Sequence, residues 1–148
     1  MTRRTSTVDL LIPFLIAVAL SYLLLRLAYE SLPPFQWFIA VPIAALAVVE
    51  WVIASRVRAA VRHKPQAKPM TALAVARSVA LGKASALVAA LFAGASAGLV
   101  LKVLPDSGRT SAAGHDLRVG LVVLVASLLL TATGLVLERA GIDPNRSR

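Results

Sequence analysis

The chain has 148 residues, 58% of them hydrophobic, and a mean hydropathy of +0.78. Soluble domains are about 45–50% apolar, and a chain this short exposes too much surface to hide the excess in a core, so composition favours a lipid solvent. Cysteine is absent, which excludes disulfide frameworks and thiolate metal sites, and the formal net charge of +9 (Lys+Arg 16, Asp+Glu 7) is carried between apolar runs, a pattern of membrane topology and anionic lipid rather than of nucleic-acid binding.

A bilayer core about 30 Å thick takes about 20 apolar residues to cross as a helix. The first such run is 10–28, LLIPFLIAVALSYLLLRLA. It follows Arg3 and Arg4, but it is long and no small-x-small cleavage site comes after it, so it reads as an uncleaved span. SLPP at 31–34 is a tight turn, because two successive prolines cannot extend a helix. The second span is 35–54, FQWFIAVPIAALAVVEWVIA, where Pro42 is expected to kink the helix. A basic connection follows, SRVRAAVRHKPQAKP, in which Arg56, Arg58, Arg62, Lys64 and Lys68 are expected to meet anionic head groups. It lacks aromatic residues for base stacking, so nucleic acid is not an expected partner.

MTALAVARSVALGK at 70–83 either extends the third span as continuous helix, the favoured reading, or lies flat at the interface with a bend at Gly82. The third span itself is 84–104. PDSGRTSAAGHD at 105–116 is a polar loop, and 117–137 is the fourth span. Nothing alternates with a period of two, and lipid demands a backbone satisfied within each segment, so the spans are helices. The expected fold is all-α, an integral membrane four-helix bundle with short loops, formed as one domain over 1–148.

Orientation follows from Lys and Arg near the span ends. One side holds Arg3, Arg4, Arg56, Arg58, Arg62, Lys64, Lys68, Arg77, Lys83, Arg139, Arg146 and Arg148; the other holds Arg26, Lys102, Arg109 and Arg118. Both termini and the 55–83 segment are therefore expected in the cytoplasm. Tyr29, Phe35 and Trp37 would mark the outer interface and Trp51 the inner one.

Two features of the spans carry more than hydropathy. Gly82, Ala86, Ala90, Gly94 and Gly98 recur every fourth residue and form a small-residue stripe, with GxxxG at 94–98. Such stripes let helix backbones approach closely. This one packs either against another span of the same chain, the favoured reading, or against a second copy or another membrane protein. Glu50 lies inside the second apolar run, where a carboxylate is costly unless paired, protonated or hydrated. Lys83 is at similar depth and is the expected partner, with Arg56 and Arg77 as substitutes; the competing reading is that Glu50 reaches the interface. Glu138, beside Arg139, reads as an interfacial anchor.

No HExxH, P-loop, GxGxxG or carboxylate cluster appears, and His63 and His115 fall on opposite sides of the membrane. No metal, cofactor or catalytic residue is expected, and the protein is not expected to be an enzyme. The LPP turn, the block KPMTALAVARSVALGKASALVAALFAGASAG and the terminal GLVLERAGIDP together resemble an uncharacterised actinobacterial membrane-protein family, domain of unknown function 3180. The resemblance covers most of the chain and is most specific in the middle block. It implies a small four-span plasma-membrane protein, often encoded beside folate-biosynthesis genes, and supplies no activity, cofactor or catalytic residues. The leading functional expectation is a non-catalytic accessory or scaffolding component of a cell-envelope membrane assembly. The second is a small transporter or channel component using a Pro42-kinked second span and Glu50.

Overall fold

A computed structural model describes residues 5–33, 35–62 and 68–141. Four helices account for most of them: α1 (Thr7–Ala28), α2 (Ala40–Val61), α3 (Ala72–Val103) and α4 (Ser111–Ala140). All four are long and apolar enough to cross a membrane, and no strand occurs among the described residues. At 1.5 Å per residue, α1 and α2 are about 33 Å long, whereas α3 and α4 reach about 48 and 45 Å and exceed a bilayer core.

The helix starts follow local chemistry. Ser6 caps α1, its hydroxyl accepting from Val8 N at 3.3 Å while the Asp9 carboxylate accepts from Ser6 N at 2.8 Å. Thr71 caps α3 through Ala74 N at 3.2 Å, and Thr110 caps α4 through Ala113 N at 3.3 Å. Each cap satisfies a donor that the first helical turn would otherwise leave unpaired. The segment from residue 72 runs straight into the third span, so α3 is a single helix of 32 residues.

The helices lie in the order α1–α3–α4–α2, with α2 also touching α3. The first two helices are therefore not neighbours in space: α1 and α2 sit at opposite ends of the row. The α1–α2 connection must cross the bundle at one end, here called the loop end, which also holds the α3–α4 turn. The starts of α1 and α3 and the ends of α2 and α4 share the other, terminal end.

In α3, residue size decides which face is buried. Apart from Leu99 and Val103, the buried positions of α3 are all Gly, Ala or Ser; Leu81, Val88, Leu91, Phe92 and Leu101 face outward. With lipid outside, large apolar side chains lose nothing by exposure, and small ones let backbones close in. The stripe of every fourth residue advances 400° per step, so it winds about 160° around α3 from Gly82 to Gly98. It consequently serves two partners. A Cβ at Gly82 would stand 2.7 Å from Gly134 O of α4, and one at Gly98 would stand 2.8 Å from Val18 O of α1. At Gly94 it would overlap the carbonyl of Phe14 and stand 2.8 Å from Ala17 Cβ. Where α1 and α3 approach this closely, Ser21 Oγ donates to Ala95 O at 2.8 Å.

Three expectations change. The second helix starts at Ala40, after a 3-10 turn at Trp37–Ile39, and continues through Arg56 and Arg58 to Val61 rather than spanning 35–54. Pro42 thus lies in the first turn of α2, directly after the Trp37–Ile39 turn, and not at mid-span where a proline would kink the helix. The proline within a helix interior is Pro13 of α1. The fourth helix begins at Ser111, absorbing part of the expected polar loop.

Candidate functional site

The chemistry of an apolar chain concentrates in its buried polar groups, and these gather at three levels of the bundle. At the loop end, Asp116 is 4% exposed. Its Oδ2 accepts from Tyr29 OH at 2.6 Å and its Oδ1 from Phe35 N at 3.3 Å. His115 Nε2 lies 3.0 Å from Phe35 O, and with its proton on that nitrogen it donates there. Lys102 Nζ stands 5.4 Å from the centre of the Tyr29 ring. These contacts pin the α1–α2 connection where it crosses the start of α4. Sequence reading placed Asp116 in a loop and missed the clamp; the signal available was a lone acid beside an otherwise apolar span.

At the terminal end, Glu138 is turned into the bundle rather than outward. It is 4% exposed, and its Oε1 accepts from Thr5 N at 2.7 Å, tying the start of α1 to α4. Glu138 Oε2 and Thr5 Oγ1 are enclosed without partners. Arg139, one residue on and about 100° round the helix, is exposed.

Between these levels lies Glu50. It is 0% exposed, and α2 continues 11 residues beyond it, from 50 to 61. Its polar neighbours are Ser85 of α3 and Thr133 of α4. Both hydroxyls donate to their own helices: Ser85 Oγ to Leu81 O at 2.9 Å and Gly82 O at 3.2 Å, Thr133 Oγ1 to Leu130 O at 3.0 Å. Neither carboxyl oxygen of Glu50 has a hydrogen-bond partner. The expected hydrogen-bonded Glu50–Lys83 pair is therefore not formed, and Glu50 does not reach an interface. Depth matched, but azimuth did not: Ser85 faces Glu50, and Lys83, two residues earlier, points about 200° away around α3. Arg56 and Arg77 are exposed and do not substitute.

The cations of the 56–83 stretch lie toward the terminal end. Arg56, Arg58, Arg62, Lys68 and Arg77 are exposed, and Lys83 is half-buried. Lys64 and His63, with Arg3, Arg4, Arg146 and Arg148, lie outside the described residues. Of the stripe, Gly82, Ala86, Ala90, Gly94 and Gly98 are all buried inside the chain's own bundle. No group of three or more His, Cys, Asp or Glu converges as metal ligands would among the described residues. Between α1 and α3 an apolar groove of about 680 Å³ opens toward lipid, bordered by Ala17, Leu24, Ala28, Val88, Phe92 and Ala95.

No curated protein and no solved structure matches the chain. A family model does, over residues 10–144, which takes in all of α2, α3 and α4, most of α1, and with them Glu50, Asp116 and Glu138. The chain belongs to that family, described as "Protein of unknown function (DUF3180)".

Proposed function

We propose that the protein is a non-catalytic accessory or scaffolding component of a cell-envelope membrane assembly. It would sit in the plasma membrane with both termini in the cytoplasm. The observation that supports this reading is the exposure of α1. That helix meets the bundle along the line of Gly94 and Gly98, and leaves Leu20 and Leu24, which border the α1–α3 groove, exposed by 55% and 62%. The polar contacts Tyr29–Asp116, Thr5–Glu138 and Ser21–Ala95 hold the bundle's own parts together. A basic terminal rim of Arg56, Arg58, Arg62 and Lys68 suits anionic head groups of the inner leaflet. The docked partner would be another membrane protein or a second copy.

A small transporter or channel component is the lesser reading. Pro42 is outward-facing in the first turn of α2 and Glu50 is enclosed, so the two do not combine into a kinked, hydrated path.

Photo-crosslinking in native membranes tests the proposal. A crosslinker at Leu24, on the groove, should capture a stoichiometric membrane protein that also co-purifies in mild detergent. The same crosslinker at Leu129, on the outward face of α4, should not. Capture of lipid alone from both positions would overturn the scaffold reading.

A further inference from the structure

We propose that Glu50 is a proton-binding site in the middle of the bundle: its carboxyl group is carried as the neutral acid, donating its O–H to the hydroxyl oxygen of Ser85 or Thr133, and the bound proton fastens α2 to α3 or to α4.

Three observations converge on this. First, Glu50 has no exposure, and neither of its oxygens receives a hydrogen bond. An ionised carboxylate is an acceptor only, with about four lone-pair sites to satisfy, and enclosing one without donors is among the costliest arrangements a protein can hold. Second, each of the two hydroxyls beside it has an acceptor for its one proton on its own helix, Leu81 O or Gly82 O for Ser85 and Leu130 O for Thr133. What each has left is lone pairs. The surroundings therefore match a group that donates, and a carboxylic acid donates where a carboxylate cannot. Third, the site lies at the junction of three helices. α2 rests mainly on α4 and meets α3 more narrowly, with Ala47, Ala89 and Ala126 in one cluster nearby. A hydrogen bond from Glu50 is the polar link available to α2 at that junction.

The charged groups on the helices packed against α2 point elsewhere. Lys83 of α3 lies about 200° round from Ser85, and Glu138 of α4, five residues beyond Thr133, lies about 140° round from it. Glu138 is engaged with Thr5 N. A metal ion in place of the proton would need several converging oxygens, and the hydroxyls described beside Glu50 are two. The proton needs one acceptor. Losing it would demand water at the junction, so release is coupled to α2 moving away from α3 and α4.

The test is infrared difference spectroscopy of the full chain in lipid nanodiscs at neutral pH. Wild type should show the C=O stretch of a protonated carboxyl that is lost in Glu50→Gln. Gln keeps a donor at the site and should fold. In Ser85→Ala with Thr133→Val the band should move to higher frequency, as a carboxyl O–H that has lost its acceptor does. The proposal is overturned if wild type and Glu50→Gln show the same carboxyl bands, or if NaCl or KCl abolishes the band at fixed pH, which would place a metal ion there. A second measurement uses wild type alone. Dicyclohexylcarbodiimide, an apolar reagent for protonated carboxyls, should modify Glu50, as read by mass spectrometry, and a water-soluble carbodiimide should not. Failure of the first or success of the second overturns the proposal.

Discussion

Replacing Gly82 by Ala adds one methyl group to a helix that gains intrinsic stability from it, about 1 kcal/mol. The bundle should nevertheless lose. The new Cβ would stand 2.7 Å from Gly134 O and 3.0 Å from Glu138 N, both backbone atoms that cannot rotate aside. Ordinary contact begins at 3.4 Å, so α3 and α4 must separate by about 0.7 Å, the difference of the two distances. A gap of 0.5–1 Å forfeits about a quarter to a half of each dispersion contact along the seam. Overpacking of this kind costs about 1–3 kcal/mol. After the propensity gain, with rigid neighbours placing the cost in the upper part of its range, the net loss should be about 1–2 kcal/mol. Gly120→Ala is the control. Its Cβ would meet Val100 Cγ2 at 3.1 Å and Leu99 Cδ2 at 3.3 Å, the ends of side chains that can turn away. It should be neutral or slightly stabilising. Unfolding by dodecyl sulfate in mixed micelles, followed by circular dichroism, reads both. A shift of 1.4 kcal/mol changes the folded-to-unfolded ratio about tenfold. If Gly82→Ala proves as stable as Gly120→Ala, the backbone-to-backbone seam between α3 and α4 is wrong.

The clamp at the loop end should behave as a coupled pair: Tyr29→Phe and Asp116→Ala, combined in a double-mutant cycle, should show an interaction of about 0.5–3 kcal/mol, with the 29–37 connection becoming protease-sensitive in Asp116→Ala. Simple additivity would mean that Tyr29 OH does not depend on Asp116. Pro42→Ala should change stability by less than about 0.5 kcal/mol, because a proline in the first turn of a helix is tolerated and Pro42 is exposed; a gain of several kcal/mol on the same dodecyl sulfate titration would restore the kinked second span.

Hydropathy alone made the four spans legible, since nothing but lipid accommodates runs such as 117–137. It could not fix the order of the helices, because each is apolar all round and offers no polar face to orient it. The information lay in residue size. Gly82 to Gly98 marked a close-packing line, and the 40° gained at each four-residue step shows that such a line must turn from one neighbour to another. Glu50 and Lys83 show the matching limit. Sequence position gives depth along a helix, but the angle around it decides contact, and that depends on which neighbour each face meets. Asp116 was missed because its partners belong to a connection that crosses the bundle, and the crossing exists because α1 and α2 are not adjacent.

The four crossings themselves are open to a direct measurement, made simple by a sequence with no native cysteine. Single substitutions Ser6→Cys, Lys68→Cys and Gly108→Cys place one thiol at the start of α1, before α3 and in the α3–α4 turn, all at exposed positions. In intact cells a membrane-impermeant maleimide should label Gly108→Cys, and should label the other two only after permeabilisation. Labelling of Lys68→Cys with protection of Gly108→Cys in intact cells would contradict the orientation. Labelling of Gly108→Cys together with either of the others would contradict the four-span path.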